Sequence, residues 1–185
     1  MSIQNERFTV IFNTKGSNVL SIGVPNAPAE NVVLTPAVIE SNNNYNKVTY
    51  NVNWLSILPT KYKKFQCQFV FKSNKFGHGQ NNIAKHIIGF IDMNIGRTNI
   101  YDGLQMSNNI GYILPRATTA SELNDLYYSS TTNDNNDFWI DYPTNNQITI
   151  TLNKLDGKEK IEKMTQYHLY LTLTGILDNE IDKSI

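Results

Sequence analysis

Residues 48–73 read VTYNVNWLSILPTKYKKFQCQFVFKS, and their pattern decides the fold class. In the first limb Val48, Tyr50, Val52 and Trp54 are large and apolar, with Thr49, Asn51 and Asn53 between them. In the second limb Phe65, Cys67, Phe69 and Phe71 share one parity, while Lys64, Gln66, Gln68 and Lys72 share the other. Only Val70 interrupts the alternation. Side chains along a strand point to opposite faces in turn, so each limb reads as a strand with one buried face. The linker LSILPTKYK, about nine residues, is too long for a two-residue hairpin turn.

Working outward, the same period recurs. Phe8, Val10 and Phe12 lie on one face of a strand over 7–12, and Leu20, Ile22 and Val24 mark a second. Pro25, Pro28 and Pro36 then break the chain into extended segment or edge strand up to Glu40. Residues 41–46 and 74–82 read as loops rich in Asn and Gly. The run HIIGFIDM (86–93) is apolar at nearly every position, which suits a strand covered on both sides. Shorter strand-like pieces, TNIY and GYIL, follow between residues 94 and 116. The one stretch with helix signals is 121–128, where Ser121 would be the N-cap and Leu123 and Leu126 lie three apart. Residues 138–142 and 147–153, joined by 143–146, read as a hairpin with Ile148, Ile150 and Leu152 inward. The last strand, 167–175, puts Tyr167, Leu169, Leu171 and Leu173 on one face. Strands at this spacing, with at most one short helix, make an all-β chain. The long connections favour a single jelly-roll-like antiparallel β-sandwich over a meander of short hairpins. An immunoglobulin-like sandwich would be nearer about 100 residues. Residues 1–185 are expected to form one domain whose ends, 1–5 and 178–185, fray.

Composition narrows the function classes. A chain of 185 residues buries roughly 70% of its unfolded surface, so a core needs neither disulfide nor metal. Sixteen basic and sixteen acidic residues balance, which argues against a specific nucleic-acid partner. About one residue in seven is Asn, a bias shared with Ile, Lys and Tyr that suits an AT-rich coding sequence. The start, MSIQNERFTV, lacks the basic-then-apolar order of a secretory signal. No apolar run approaches the roughly 18 residues of a membrane span. Cys67 stands alone within a Phe-rich face and reads as a buried thiol, and there is no Asn-x-Ser/Thr sequon. Synthesis in a reducing cytoplasm is expected.

Motifs for catalysis fail on spacing or context. His78, His86 and His168 are isolated, with no ligand pair among them, so no metal is expected. The loop FGHGQNN carries Gly77 and Gly79 but has Asn82 in place of a third glycine, and no helix follows. NDNNDFW resembles the start of a calcium loop at Asn133, Asn135 and Asp137, but Phe138 stands where Gly is required. Asp137 and Asp141 would be roughly 13 Å apart on a strand, too far for a glycosidase pair. There is no nucleophile elbow, Cys67 has no neighbouring base, and KYKK (61–64) is ordinary solvated surface. No catalytic residue, cofactor or enzymatic activity is expected. The aromatics carry more. Trp139 has the opposite parity from Phe138 and Ile140 and shares a face with Asp137 and Asp141. Such a face can stack on sugar or bury against a neighbouring subunit.

The run YNVNWLSILPTKYKKFQCQFVFKS, with the closing strand YHLYLTLTGI, resembles the minor capsid proteins of large icosahedral double-stranded DNA viruses. The matching positions are Asn51, Asn53, Trp54, Leu58, Pro59, Tyr62, Phe65, Phe69 and Phe71. The resemblance implies a single jelly roll that cements or closes an icosahedral shell, with penton-type vertex proteins a near neighbour. It also implies a virion location after synthesis in the host cytoplasm. Its partners would be other capsid proteins, including a major capsid protein, within a homo- or hetero-oligomer. Trp54, Tyr62 and Trp139 are the expected interface residues. The alternative is a lectin-like carbohydrate-binding jelly roll using Trp54, Trp139 and the Tyr-rich loops.

Overall fold

A computed structural model describes residues 6–14, 31–41, 44–73, 89–95, 100–101, 105–106, 108–113, 126–129, 138–154, 160 and 166–177. The strands are β1 (Arg7–Asn13), β2 (Asn31–Leu34), β3 (Val38–Ser41), β4 (Asn44–Asn51), β5 (Lys64–Ser73), β6 (Gly89–Met93) and β7 (Ile100–Tyr101). They continue as β8 (Gln105–Met106), β9 (Asn109–Ile113), β10 (Leu126–Ser129), β11 (Phe138–Asp141), β12 (Gln147–Lys154) and β13 (Tyr167–Ile176). A single helical turn, α1 (Trp54–Ile57), separates β4 from β5.

One sheet runs β10-β5-β13-β1-β2, with β11 also paired to β5, and the other runs β3-β4-β12-β6-β9. β7 and β8 form a separate ribbon. The pairing is nested from the ends of the chain inward. Antiparallel ladders join β1 to β13, β4 to β12, β5 to both β10 and β11, and β6 to β9. Rolling that doubled ribbon sets β13 beside β5 and β12 beside β6. This is the jelly-roll arrangement, two interlocked Greek keys closing into a sandwich.

The alternating residues meet between the sheets. Phe8, Val10, Phe12, Phe65, Cys67, Phe69, Phe71, Leu169, Leu171 and Leu173 come from one sheet. Val48, Tyr50, Ile91, Met93, Ile148, Ile150 and Leu152 face them from the other. All of these are buried, and each large side chain so removed from water contributes about 1.5–3 kcal/mol. Val70, the irregularity in the sequence pattern, sits half-buried on the outer face, so the pleat is unbroken.

Several expectations need correction. The ladder between β1 and β2 is parallel, an exception to the antiparallel rule of the sandwich. The first limb does not stay extended to Trp54; the chain turns into α1 after Val52 donates its N–H to the Asn146 carbonyl at 2.8 Å. Residues 126–128, expected in a helix, belong to β10, and 121–125 lie outside the described residues. β11 and β12 are not a hairpin, since they sit in different sheets and residues 143–146 cross between them. β6 is covered on one face only, with Phe90 and Asp92 half-buried. β4 already begins at Asn44, inside the expected loop. The strand expected over 20–24, the loop over 74–82 and the chain ends lie outside the described residues.

One edge strand, β3, is guarded. β3 is four residues long, follows Pro36 and carries a register shift between Ile39 and Ser41. Glu40, at that irregularity, pairs with Lys47 at 3.3 Å and with Lys160. Short length, a bulge and charge are the usual defences against edge-to-edge pairing.

Candidate functional site

Of the three residues expected at an interface, Trp54 and Tyr62 belong to the core of their own chain. Trp54 is 1% exposed and donates its Nε1–H to the Asn145 carbonyl at 2.8 Å. Leu58, one helical turn on, is equally buried, and its N–H closes the turn on the Trp54 carbonyl at 2.7 Å. The Tyr142 hydroxyl donates to the Leu58 carbonyl at 2.9 Å, with the Trp54 carbonyl sharing it at 3.3 Å. Tyr62 is 3% exposed, its ring edge-on to Phe8 and Phe65 with centroids 6.3 and 6.0 Å away. Gly175 lies directly beneath it: a Cβ there would stand 2.6 Å from the ring. The Trp54–Tyr62 stretch is therefore a buried corner that joins the two sheets.

Trp139 is different. β11 places Phe138 and Ile140 in the core and turns Trp139 outward, 38% exposed. It stands opposite Gln66 on β5, and the next outward pair is Asp141 opposite Lys64. Asp137 lies outside the described residues. β11 is at the outer edge of its sheet, so Trp139 sits on a lateral edge of the sandwich.

Other exposed apolar residues escaped the sequence reading. Leu55, on the outer side of α1, is 73% exposed. Val38 and Ile39 lie on β3, the edge strand of the second sheet. β3 follows β2 across residues 35–37, and β10 lies against β9 at the other side. Trp139 and the Val38–Ile39 pair therefore occupy opposite lateral edges, with Leu55 at one end. No periodic signal separates such residues from core ones, because an edge strand continues the same alternation.

Asn51, Val52, Asn53 and Asn146 line an open depression of about 330 Å³. Val52, 2% exposed, is the apolar residue of this lining, and the other three are amides. The amides of this region are not all alike. Asn94 continues the β6 ladder past Met93 with its side chain: Nδ2–H donates to the Gln147 carbonyl at 3.2 Å, and Oδ1 accepts the Thr149 N–H at 2.7 Å. Asn145 Oδ1 accepts the Gln147 N–H at 3.0 Å.

The ion pairs near these surfaces are exposed. Lys61 binds Glu6 at 2.6 Å and lies 4.9 Å above the Tyr62 ring centre. Its hydrogen bond holds the Glu6 carboxyl below, and the Lys61 ammonium above, their ordinary pKa values. Burial raises Asp92, partly opposed by the Asn153 Nδ2–H that it accepts at 2.5 Å. Among the described residues no three His, Cys, Asp or Glu side chains gather in a way that could hold a metal ion. Nor is any described helix long and apolar enough to cross a membrane. The glycine loop at 77–82 and the Asn-rich loop at 133–137 lie outside the described residues.

Compared with protein-family models, curated proteins and solved structures, the chain matches none of them.

Proposed function

We propose that this protein is a structural subunit of an icosahedral virus shell, a minor capsid protein that cements or closes the shell through contacts with other capsid proteins. The observation that carries the reading is the placement of Val38 and Ile39, Trp139 and Leu55 on two opposite edges and one end of a jelly roll. A subunit that closes a surface needs contacts in several directions. A ligand-binding module concentrates its anchors in one concavity. Exposed aromatic and aliphatic residues set within polar surroundings are the usual centres of such contacts. The resemblance of the 48–73 stretch to minor capsid proteins supports the same reading.

The test is assembly. The protein should sediment with shell particles formed with its major capsid partner, burying at least about 1,000 Å² per specific contact. Trp139→Ser and Leu55→Ser should weaken that co-sedimentation and leave the thermal midpoint within about 2 °C of the parent. A protein that stays monomeric and never enters particles would remove the basis of the reading. The lectin-like alternative keeps Trp139 as a stacking surface but not Trp54, whose ring is spent inside the fold. Titration of the amide-lined depression with simple sugars separates the two: saturable binding lost in Asn53→Ala would favour carbohydrate.

A further inference from the structure

Two tyrosines in the core carry hydroxyls that no described residue satisfies. Tyr50 on β4 and Tyr167 on β13 are each 0% exposed, and neither phenolic oxygen has a hydrogen-bond partner among the described residues. The two strands belong to opposite sheets. Their rings are nevertheless held around one row of the inner surface. Tyr50 packs edge-on to Phe12 at 5.1 Å, and Tyr167 lies against Phe71 at 5.0 Å. Phe12 and Phe71 both stand opposite Leu169, one on each side of β13. The phenylalanines that the two tyrosine rings touch are thus cross-strand neighbours of one leucine, and the Tyr50 phenol lies near enough to Tyr167 to raise its pKa.

Neither residue can swing its hydroxyl to solvent. Tyr50 lies within β4, where its backbone stands opposite Ile148 of β12. Tyr167 is clasped at both backbone groups by Thr14: its N–H donates to Thr14 Oγ1 at 2.7 Å, and Thr14 Oγ1 donates to its carbonyl at 2.9 Å. A hydroxyl buried without a partner is strongly unfavourable, and internal water is the common remedy where two or more polar groups converge.

We infer that one internal water molecule bridges the Tyr50 and Tyr167 hydroxyls, forming a buried polar link between the two sheets. The water donates to one phenolic oxygen and accepts from the other hydroxyl, so both groups are satisfied without a charged residue. The inference is independent of the shell proposal.

The test compares Tyr50→Phe, Tyr167→Phe and the double variant, which keep both rings and the packing. Each single variant strands the opposite hydroxyl and evicts the water, so it should raise the unfolding equilibrium constant roughly tenfold. The double variant removes both polar groups and should return close to the parent. That pattern, with ordered solvent between the rings in a crystal of the parent, supports the bridge. Single variants that are neutral or stabilising, with additive effects, would mean that the hydroxyls share no water. Losses that simply add would mean that each hydroxyl has its own separate partner. Either result overturns the inference.

Discussion

Phe69 and Gln68 are consecutive in β5 yet live in different environments, Phe69 1% exposed between the sheets and Gln68 half-buried on the outer face. Phe69→Ala should therefore cost about 3–5 kcal/mol in urea unfolding, and Gln68→Ala only about 0.5 kcal/mol. Equal effects would mean that the faces are reversed. Cys67 shares the Phe69 face and is fully buried, so its thiol should react with alkylating reagents only on unfolding. Asn94 gives a prediction of another kind. Its amide replaces a strand's own backbone groups, one donor and one acceptor against β12. Asn94→Ala loses both bonds and should destabilise by about 1–3 kcal/mol; Asn94→Asp keeps only the acceptor and should fall between. Parity made Phe69 and Cys67 legible from sequence alone. Asn94 was not, because an amide that completes a ladder looks like any loop amide until the neighbouring strand is known.

The elements divide in the same way. β4, β5, β12 and β13 alternate so regularly that period two marks them, and Phe8, Val10 and Phe12 mark β1 although Ile11 is buried as well. α1 was hidden because Trp54 continues the parity of Val48, Tyr50 and Val52, and because Asn53 at its N-cap makes no side-chain bond to announce it. The β11–β12 connection reads as a hairpin because the Pro- and Asn-containing segment 143–146 fixes a change of direction, not the sheet in which the next strand lies. The corner built by α1 and the following linker depends on a close approach that only the fold reveals. Gly175 on β13 lets the Tyr62 ring lie flat against the backbone, and that ring is held by Phe8 and Phe65. Gly175→Ala puts a methyl 2.6 Å from ring atoms that cannot retreat, so destabilisation of about 1–3 kcal/mol is expected. Tyr62→Ala alone should also be destabilising. The double variant should cost less than the sum, because the clash disappears with the ring. Strict additivity in thermal unfolding would show that the two residues do not touch.

For the whole molecule, the sandwich class followed from the number and period of strands, whereas the nested pairing did not. Periodicity reports which face of a strand is buried; it holds nothing about which distant strand lies alongside, as β1 with β13 shows. That nesting also sets the response of the protein to alkali, because it seals Tyr50 and Tyr167 between the sheets. Burial pushes both phenols above the ordinary tyrosine value, Tyr167 further still through its proximity to Tyr50. Above pH ~10 the unfolded chain releases phenolic protons that the folded chain retains. Stability is therefore complete below that pH and falls as pH rises, by about 1.4 kcal/mol per pH unit for each tyrosine. The two groups act in the same direction, so their losses reinforce each other. Urea midpoints measured from pH ~9 upward should be flat at first and then decline steeply. In the Tyr50→Phe/Tyr167→Phe variant the decline should be much shallower, since neither buried position can ionise even in the unfolded chain. An unchanged slope would mean that other groups govern alkaline unfolding and that the two phenols titrate alike in both states.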